Sequence, residues 1–326
     1  MSFMVNGELR GDWFDEEVEQ GAFVRKDSVF RDWITPDGSP GASGDGGFKA
    51  EAGRYHLYVS HACPWSHRTT LFRKLKRLNH VVSMSVVHPH MGAKGWRFEA
   101  YPGATYDEVN GADYLYEVYR LARSDYTGIV QVPALWDIER RTIVNNESSE
   151  IIRMFNSAFA AHADDATNYY PRERRADIDA VNRLVYDNVN NGVYRCGFAT
   201  TQREYEAAFT RLFDTLDELE RRLARQRYLA GSEITEADWR LFVTLVRFDA
   251  VYYSHFKCNR RRIIDYLNLG NYLRELYQHP GVAETVDFDH IKRHYYTSHE
   301  TINPNGIIPE GPALALTAPH DRERLA

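Results

Sequence analysis

Cysteine is scarce in this chain, with three residues, Cys63, Cys196 and Cys258, in 326. That is too few, and too scattered, for a disulfide framework; thiols kept reduced fit the cytosol, so a cytoplasmic protein is expected. No stretch approaches the roughly 18 apolar residues of a membrane span. Met1 to Arg10 lacks a basic run followed by an apolar one. Neither a membrane partner nor a signal peptide is expected. An excess of positive charge is missing too: the formal net charge is -6, which removes the general reason to expect a nucleic-acid partner. There is no internal repeat. No metal is expected either, because His88 and His90, or Cys63 and His67, fall short of a three- or four-ligand set.

What is present is ordinary for a globular chain of about two domains, with 43% hydrophobic and 26% charged residues. Aromatics are plentiful at 13%, with 21 Tyr, which fits either an aromatic-lined pocket or an aromatic core.

Residues 1–50 read as an irregular extension with a loop at Ser39 to Gly47. A regular pattern follows at 51–161. Tyr55 to Ser60 and Val81 to Val87 read as strands, with a helix from Pro64 to Leu78 carrying a basic outer face between them. After a polar insertion at His88 to Gly111 come a helix at Ala112 to Ala122, a strand pair at Val132–Asp137 and Thr142–Val144, and a helix at Ser148 to Phe159. The β-α-β-α-β-β-α order predicts an α+β, thioredoxin-like domain with one mixed sheet. Residues 162–171 read as a linker, 172–300 as an all-helical domain, and 301–326 as a surface tail. Helical periodicity covers 173–190, 202–227, 236–253 and 270–278. The third of these starts with a capping box, Thr235 with Asp238.

The sharpest local signal is Ser60-His61-Ala62-Cys63-Pro64-Trp65-Ser66-His67-Arg68. Pro64 suits the first helical position, which puts Cys63 at the N-cap, where free N–H groups and the helix dipole favour a thiolate. His67 and Arg68 can add positive potential. Ser66 stands where a two-cysteine redox motif would have its second thiol. A sulfur-transfer cycle must therefore be resolved by an external thiol such as glutathione. The bland alternative is a small buried hydrophobe, the preferred reading for Cys196 and Cys258. Two further pieces fit a peptide-like thiol. Val132-Pro133 can leave backbone groups free to pair with a short peptide, or can simply open a strand. Glu147-Ser148 can meet an ammonium and a carboxylate at a helix start, or can be an ordinary N-cap.

These pieces together resemble the cysteine-type cytosolic glutathione transferases. Three more stretches narrow the resemblance: Asn191 to Ala199, Arg247 to Tyr252 with Phe256 to Asn259, and Lys292 to Tyr296 with Ile302-Asn303-Pro304. The set looks like the glutathionyl-hydroquinone reductases, or Xi class. The resemblance implies that Cys63 attacks the glutathione sulfur of a glutathionyl-hydroquinone, and that a second glutathione then frees the enzyme as oxidised glutathione. By the same resemblance the tyrosine matching Tyr194 gives and takes the proton, and those matching Tyr252 and Tyr295 help hold the thiolate. Glutathione is held by the residues matching Trp96, the run Ile129, Val130, Gln131 and Val132, and Glu147 with Ser148. It further implies a homodimer, with glutathione as co-substrate and no tightly bound cofactor. A glutathione-conjugating transferase, a dehydroascorbate or thiol-transferase type of enzyme, and a non-enzymatic binding protein on the same fold stand as alternatives.

Overall fold

A computed structural model of the chain describes residues 2–12, 18–163 and 165–325. The chain divides into two units. The first comprises Met1–Glu16, Lys26–Thr167 and Thr285–Ser298; the second comprises Glu17–Arg25, Asn168–Glu284 and His299–Ala326.

In the first unit, β1 (Ser2–Val5) and β2 (Glu8–Asp12) form a hairpin. The two-residue strands β5 (Ile34–Thr35) and β6 (Phe48–Lys49) pair in parallel; β3 (Val18–Glu19) and β4 (Ala22–Phe23) belong to the second unit. Then come β7 (Tyr55–Val59), α1 (Pro64–Leu75), β8 (Val82–Val86), α2 (Leu115–Ala122), β9 (Gly128–Val130), β10 (Ala134–Asp137), β11 (Thr142–Asn145) and α3 (Ser148–Ser157). The central sheet runs β11-β10-β7-β8, with β7 and β8 parallel and β10 antiparallel to both its neighbours. This is the thioredoxin-like mixed sheet. All five residues of β7 are buried, as expected of a strand covered on both faces. Asp107 organises the polar insertion: its carboxylate accepts from the Tyr58 hydroxyl (2.9 Å) and from the N–H groups of Val109 and Ala112.

The second unit is helical: α4 (Arg175–Val185), α5 (Gly192–Gly197), α6 (Gln202–Leu223), α7 (Glu236–Arg247) and α8 (Leu267–Gln278). At the start of α7 the Thr235 N–H donates to Asp238 at 2.8 Å, as the capping box requires. Among the described residues no helix is long and apolar enough to cross a membrane.

Four expectations need correction. Residues 1–50 are not wholly irregular, since β1 adds to β9 as an antiparallel strand, Ser2 opposite Val130 and Met4 opposite Gly128; residues 13–17 of that stretch lie outside the described residues. The region 172–300 is not one helical body. Its last helix, α9 (Phe288–Ser298), belongs to the first unit, and the division after the sheet falls at Thr167, within the predicted linker, whose residue 164 is not described. The helix expected over Pro64 to Leu78 ends at Leu75, and Leu78 falls in a separate short turn; the less buried face of α1 carries Arg73 and Lys74, while Arg68, on the side packed against α3, is fully buried. The tail does not simply run over the surface. Arg322 is fully buried and donates to the carbonyls of Leu223 and Gln226, satisfying orphan groups at the end of α6.

Candidate active site

The loop from β7 to α1 is braced by its own serines. Cys63 N–H donates to the Ser60 carbonyl (3.2 Å), and the Ala62 N–H donates to the Ser60 hydroxyl (3.2 Å). Ser66 is fully buried and its hydroxyl accepts from the Ser60 N–H (3.3 Å). The residue that replaces a second thiol thus holds the loop. Cys63 takes the N-cap position with extended backbone, and Pro64 is the first helical residue. Its side chain is half-buried against the core cluster of Met4, Tyr58, Trp96 and Trp136. Its sulfur lies 3.6 Å from the Val132 carbonyl, beside a cis Val132–Pro133 bond.

Of the predicted backbone run, only Val132 meets the cysteine. Ile129 and Val130 pair with β1. The Ile129 carbonyl accepts from Tyr126 (2.9 Å), and that of Gln131 from Tyr119 (2.7 Å). A carbonyl already taken in this way is a poor anchor for a second peptide.

Glu147 caps α3, its carboxylate accepting from the Ser149 N–H (3.0 Å) and from the Ser28 hydroxyl (3.2 Å). Ser28 also accepts from the Gln131 amide at 2.8 Å. Asn146 donates to the Tyr119 hydroxyl (3.1 Å), closing a network that ties residue 131 to residue 147. Ser28, Tyr119 and Asn146 were missed from the sequence; an isolated Ser in an irregular stretch carries no signal for a partner 119 positions away. Ser148 is buried, and its hydroxyl accepts from Arg68 at 3.4 Å. The cation expected to act on Cys63 is therefore engaged at the start of α3. Its guanidinium also sits over the Trp65 ring at 4.6 Å.

Helix α9 brings Tyr295 into the same unit as Cys63. The segment leading into it lies against α1, with His67 Nε2 2.8 Å from the Thr285 hydroxyl and the His61 and His290 rings 5.3 Å apart. Trp96 stacks on His294 at 4.8 Å, and His294 donates to the Pro89 carbonyl at 3.0 Å. Trp96 is 2% exposed, and its indole N–H has no partner among the described residues. A buried donor of this kind is costly unless something accepts from it. Tyr295 is buried beside His294.

In the second unit, Tyr194 on α5 sits in an aromatic cluster. Its ring lies 6.1 Å from Tyr252, 5.4 Å from Phe256 and 6.1 Å from both Phe198 and Phe23. Tyr252 is fully buried in the π-type turn that ends α7. Cys196 and Cys258 are buried in this unit, and burial together with the Cys196 contact pushes the Cys258 thiol well up.

The comparisons with known proteins bear on both units. Residues 62–158 match the glutathione S-transferase N-terminal domain and residues 202–279 the C-terminal domain. The chain is 52% identical to the glutathionyl-hydroquinone reductase YqjG of Escherichia coli K12, over 99% of both chains. It is 50% identical to the glutathionyl-hydroquinone reductase PcpF of Sphingobium chlorophenolicum, over 97% of this chain and 98% of that one. This chain belongs to the Xi class of glutathione transferases, the glutathionyl-hydroquinone reductase family. A glutathione-bound structure of the Escherichia coli member superposes with a TM-score of 0.89 at 55% identity, covering 90% of this chain and 96% of that one. Of the residues expected at the site, Cys63, Trp96, Glu147 and Tyr295 belong to the thioredoxin-like unit, and Tyr194 and Tyr252 to the helical one.

Proposed function

We propose that this chain reduces glutathionyl-hydroquinones to hydroquinones at the expense of glutathione. The observation that carries the reading is Cys63 at the N-cap of α1, its sulfur 3.6 Å from the Val132 carbonyl, with Ser66 instead of a second thiol. The Cys63 thiolate attacks the glutathione sulfur, forming an S–S bond as the carbon–sulfur bond breaks. The electron pair left on the ring carbon takes the proton of the Tyr194 phenol, and hydroquinone departs. A second glutathione attacks the mixed disulfide; oxidised glutathione leaves, Cys63 is again a thiolate, and the proton from the incoming thiol restores Tyr194. Tyr252 and Tyr295 help hold the thiolate by donating hydrogen bonds to it.

Glutathione binds as an added extended segment. Val132 offers backbone pairing, the unpaired Trp96 N–H donates to it, and Glu147 accepts from its ammonium. Ser148 contributes its backbone N–H at the start of α3 and its hydroxyl, which accepts from Arg68 and keeps its own O–H to donate to a carboxylate. Ile129, Val130 and Gln131 form the rigid support of that segment. The enzyme works in the cytoplasm as a homodimer, without a tightly bound cofactor. The test is a single turnover with glutathionyl-menadiol and no free glutathione. One glutathione gained on Cys63 by intact mass, with menadiol released, supports the reading; an unmodified thiol with intact substrate rejects it.

A further inference from the structure

With Tyr194 as the proton donor of the proposed reaction, each protonation of the ring carbon leaves a phenolate on that residue. Resting on that assignment, we propose that Arg25 is a positioning residue that stabilises this charge and so sets the rate of proton delivery. Arg25 ends the short segment of the N-terminal stretch that belongs to the helical unit. Its guanidinium carbon lies 5.2 Å from the centroid of the Tyr194 ring and 5.2 Å from that of Phe23. Nε donates to the Asn191 side-chain carbonyl at 2.9 Å, and Asn191, which is buried, precedes Tyr194 by three residues at the start of α5.

The hairpin of β3 and β4 delivers the arginine to this place. The Gly21 carbonyl accepts from the Thr200 N–H at 3.1 Å. Phe23 is buried, stacked with Tyr194 and 5.6 Å from Phe198. A guanidinium over a ring face is attracted to the electron-rich π cloud. The attraction grows once the phenol has given up its proton and the ring carries a full negative charge. An interaction stronger in the charged state than in the resting one lowers the barrier rather than the substrate's dissociation constant. Arg25 acts on the reaction only through Tyr194, by the charge of its guanidinium.

The test measures the rate of hydroquinone release in single turnovers with glutathionyl-menadiol, together with steady-state kcat and KM. Arg25→Met slows release about tenfold, part of the contribution of a general acid, and leaves KM within about twofold. Arg25→Lys, which restores the charge, recovers most of the loss, and Arg25→Gln behaves like Arg25→Met, guarding against a fault of one substitution. In a Tyr194→Phe background Arg25→Met adds nothing. Wild-type release by Arg25→Met and Arg25→Gln while Tyr194→Phe is slow overturns the inference and leaves the proton-donor assignment standing. So does an equal loss in both backgrounds, or no rescue by Lys, each of which marks a packing role. Wild-type release by Tyr194→Phe removes the proton-donor assignment and this inference with it.

Discussion

Cys63 and the Cys196–Cys258 pair carry the same functional group in opposite settings. Cys63 is half-buried, stands ahead of a helix whose first N–H groups are unpaired within it, and has the Val132 carbonyl 3.6 Å from its sulfur. Cys258 is fully buried against another thiol, and that burial pushes its proton affinity up. Low solvation disfavours the charged form, whereas a helix N-terminus favours it. On the proposed reading, reactivity is assigned by position in the fold, and one chain holds a nucleophile and two inert thiols without any difference in side-chain chemistry.

Substitution breaks the contrast most visibly. Cys63→Ser loses glutathionyl-hydroquinone reduction by about a thousandfold or more, the loss expected when a covalent nucleophile is removed, and forms no glutathione adduct by intact mass. Full activity in that variant would end the nucleophile assignment. Alkylation of the native protein with iodoacetamide sharpens the contrast next: Cys63 is labelled about a hundredfold faster than Cys196 or Cys258, and peptide mapping reads the ratio. The buried pair reacts at ordinary rates only after denaturation. Glu147→Gln tests the neighbourhood of the reactive thiol. KM for glutathione rises about tenfold, the worth of one charge-assisted hydrogen bond, with kcat in single-turnover release unchanged. A fall in kcat at constant KM would contradict a binding role. The smallest effect is at the inert pair, where Cys258→Ser costs about 1–2 kcal/mol of stability by burying a hydroxyl. It leaves activity within about twofold, and urea unfolding alongside the turnover assay checks both.

Legibility from sequence followed the range of the interaction. The Cys63 N-cap rests on Pro64, and the start of α7 on Thr235 and Asp238, so both could be read from residues a few positions apart. The β7-α1-β8 order was equally plain, because each element declares its own period. Strand β1 was missed: Ser2–Val5 pairs with β2 across the Asn6-Gly7 turn, a local signal passed over, and with β9, more than 120 positions on, which no local pattern encodes. Arg68 read as a source of positive potential for Cys63 because its partner, Ser148, lies 80 positions on. The membership of Tyr295 in the thioredoxin-like unit depends on contacts such as His294 with Pro89, 205 positions apart, which no local pattern encodes. Of the expected site residues, Glu147 was suggested by its place at a helix start, whereas Trp96 and Tyr194 came from family resemblance. What no resemblance supplied was the use of the N-terminal stretch, where Ser28 meets Glu147 and Arg25 meets Tyr194.

The return of Thr285–Ser298 to the first unit has a consequence for the ribosome. Synthesis is vectorial, and N-terminal domains generally fold first as they emerge. Here the sheet is complete by residue 145, yet the last helix of that unit is made only after the whole intervening helical region up to Glu284. At about 5–20 residues per second, the nascent unit waits many seconds with the face around Pro89, Trp96 and Pro102, which α9 contacts, uncovered. A nascent chain stalled before residue 285 would therefore expose that face, and is the state in which a chaperone has most to protect.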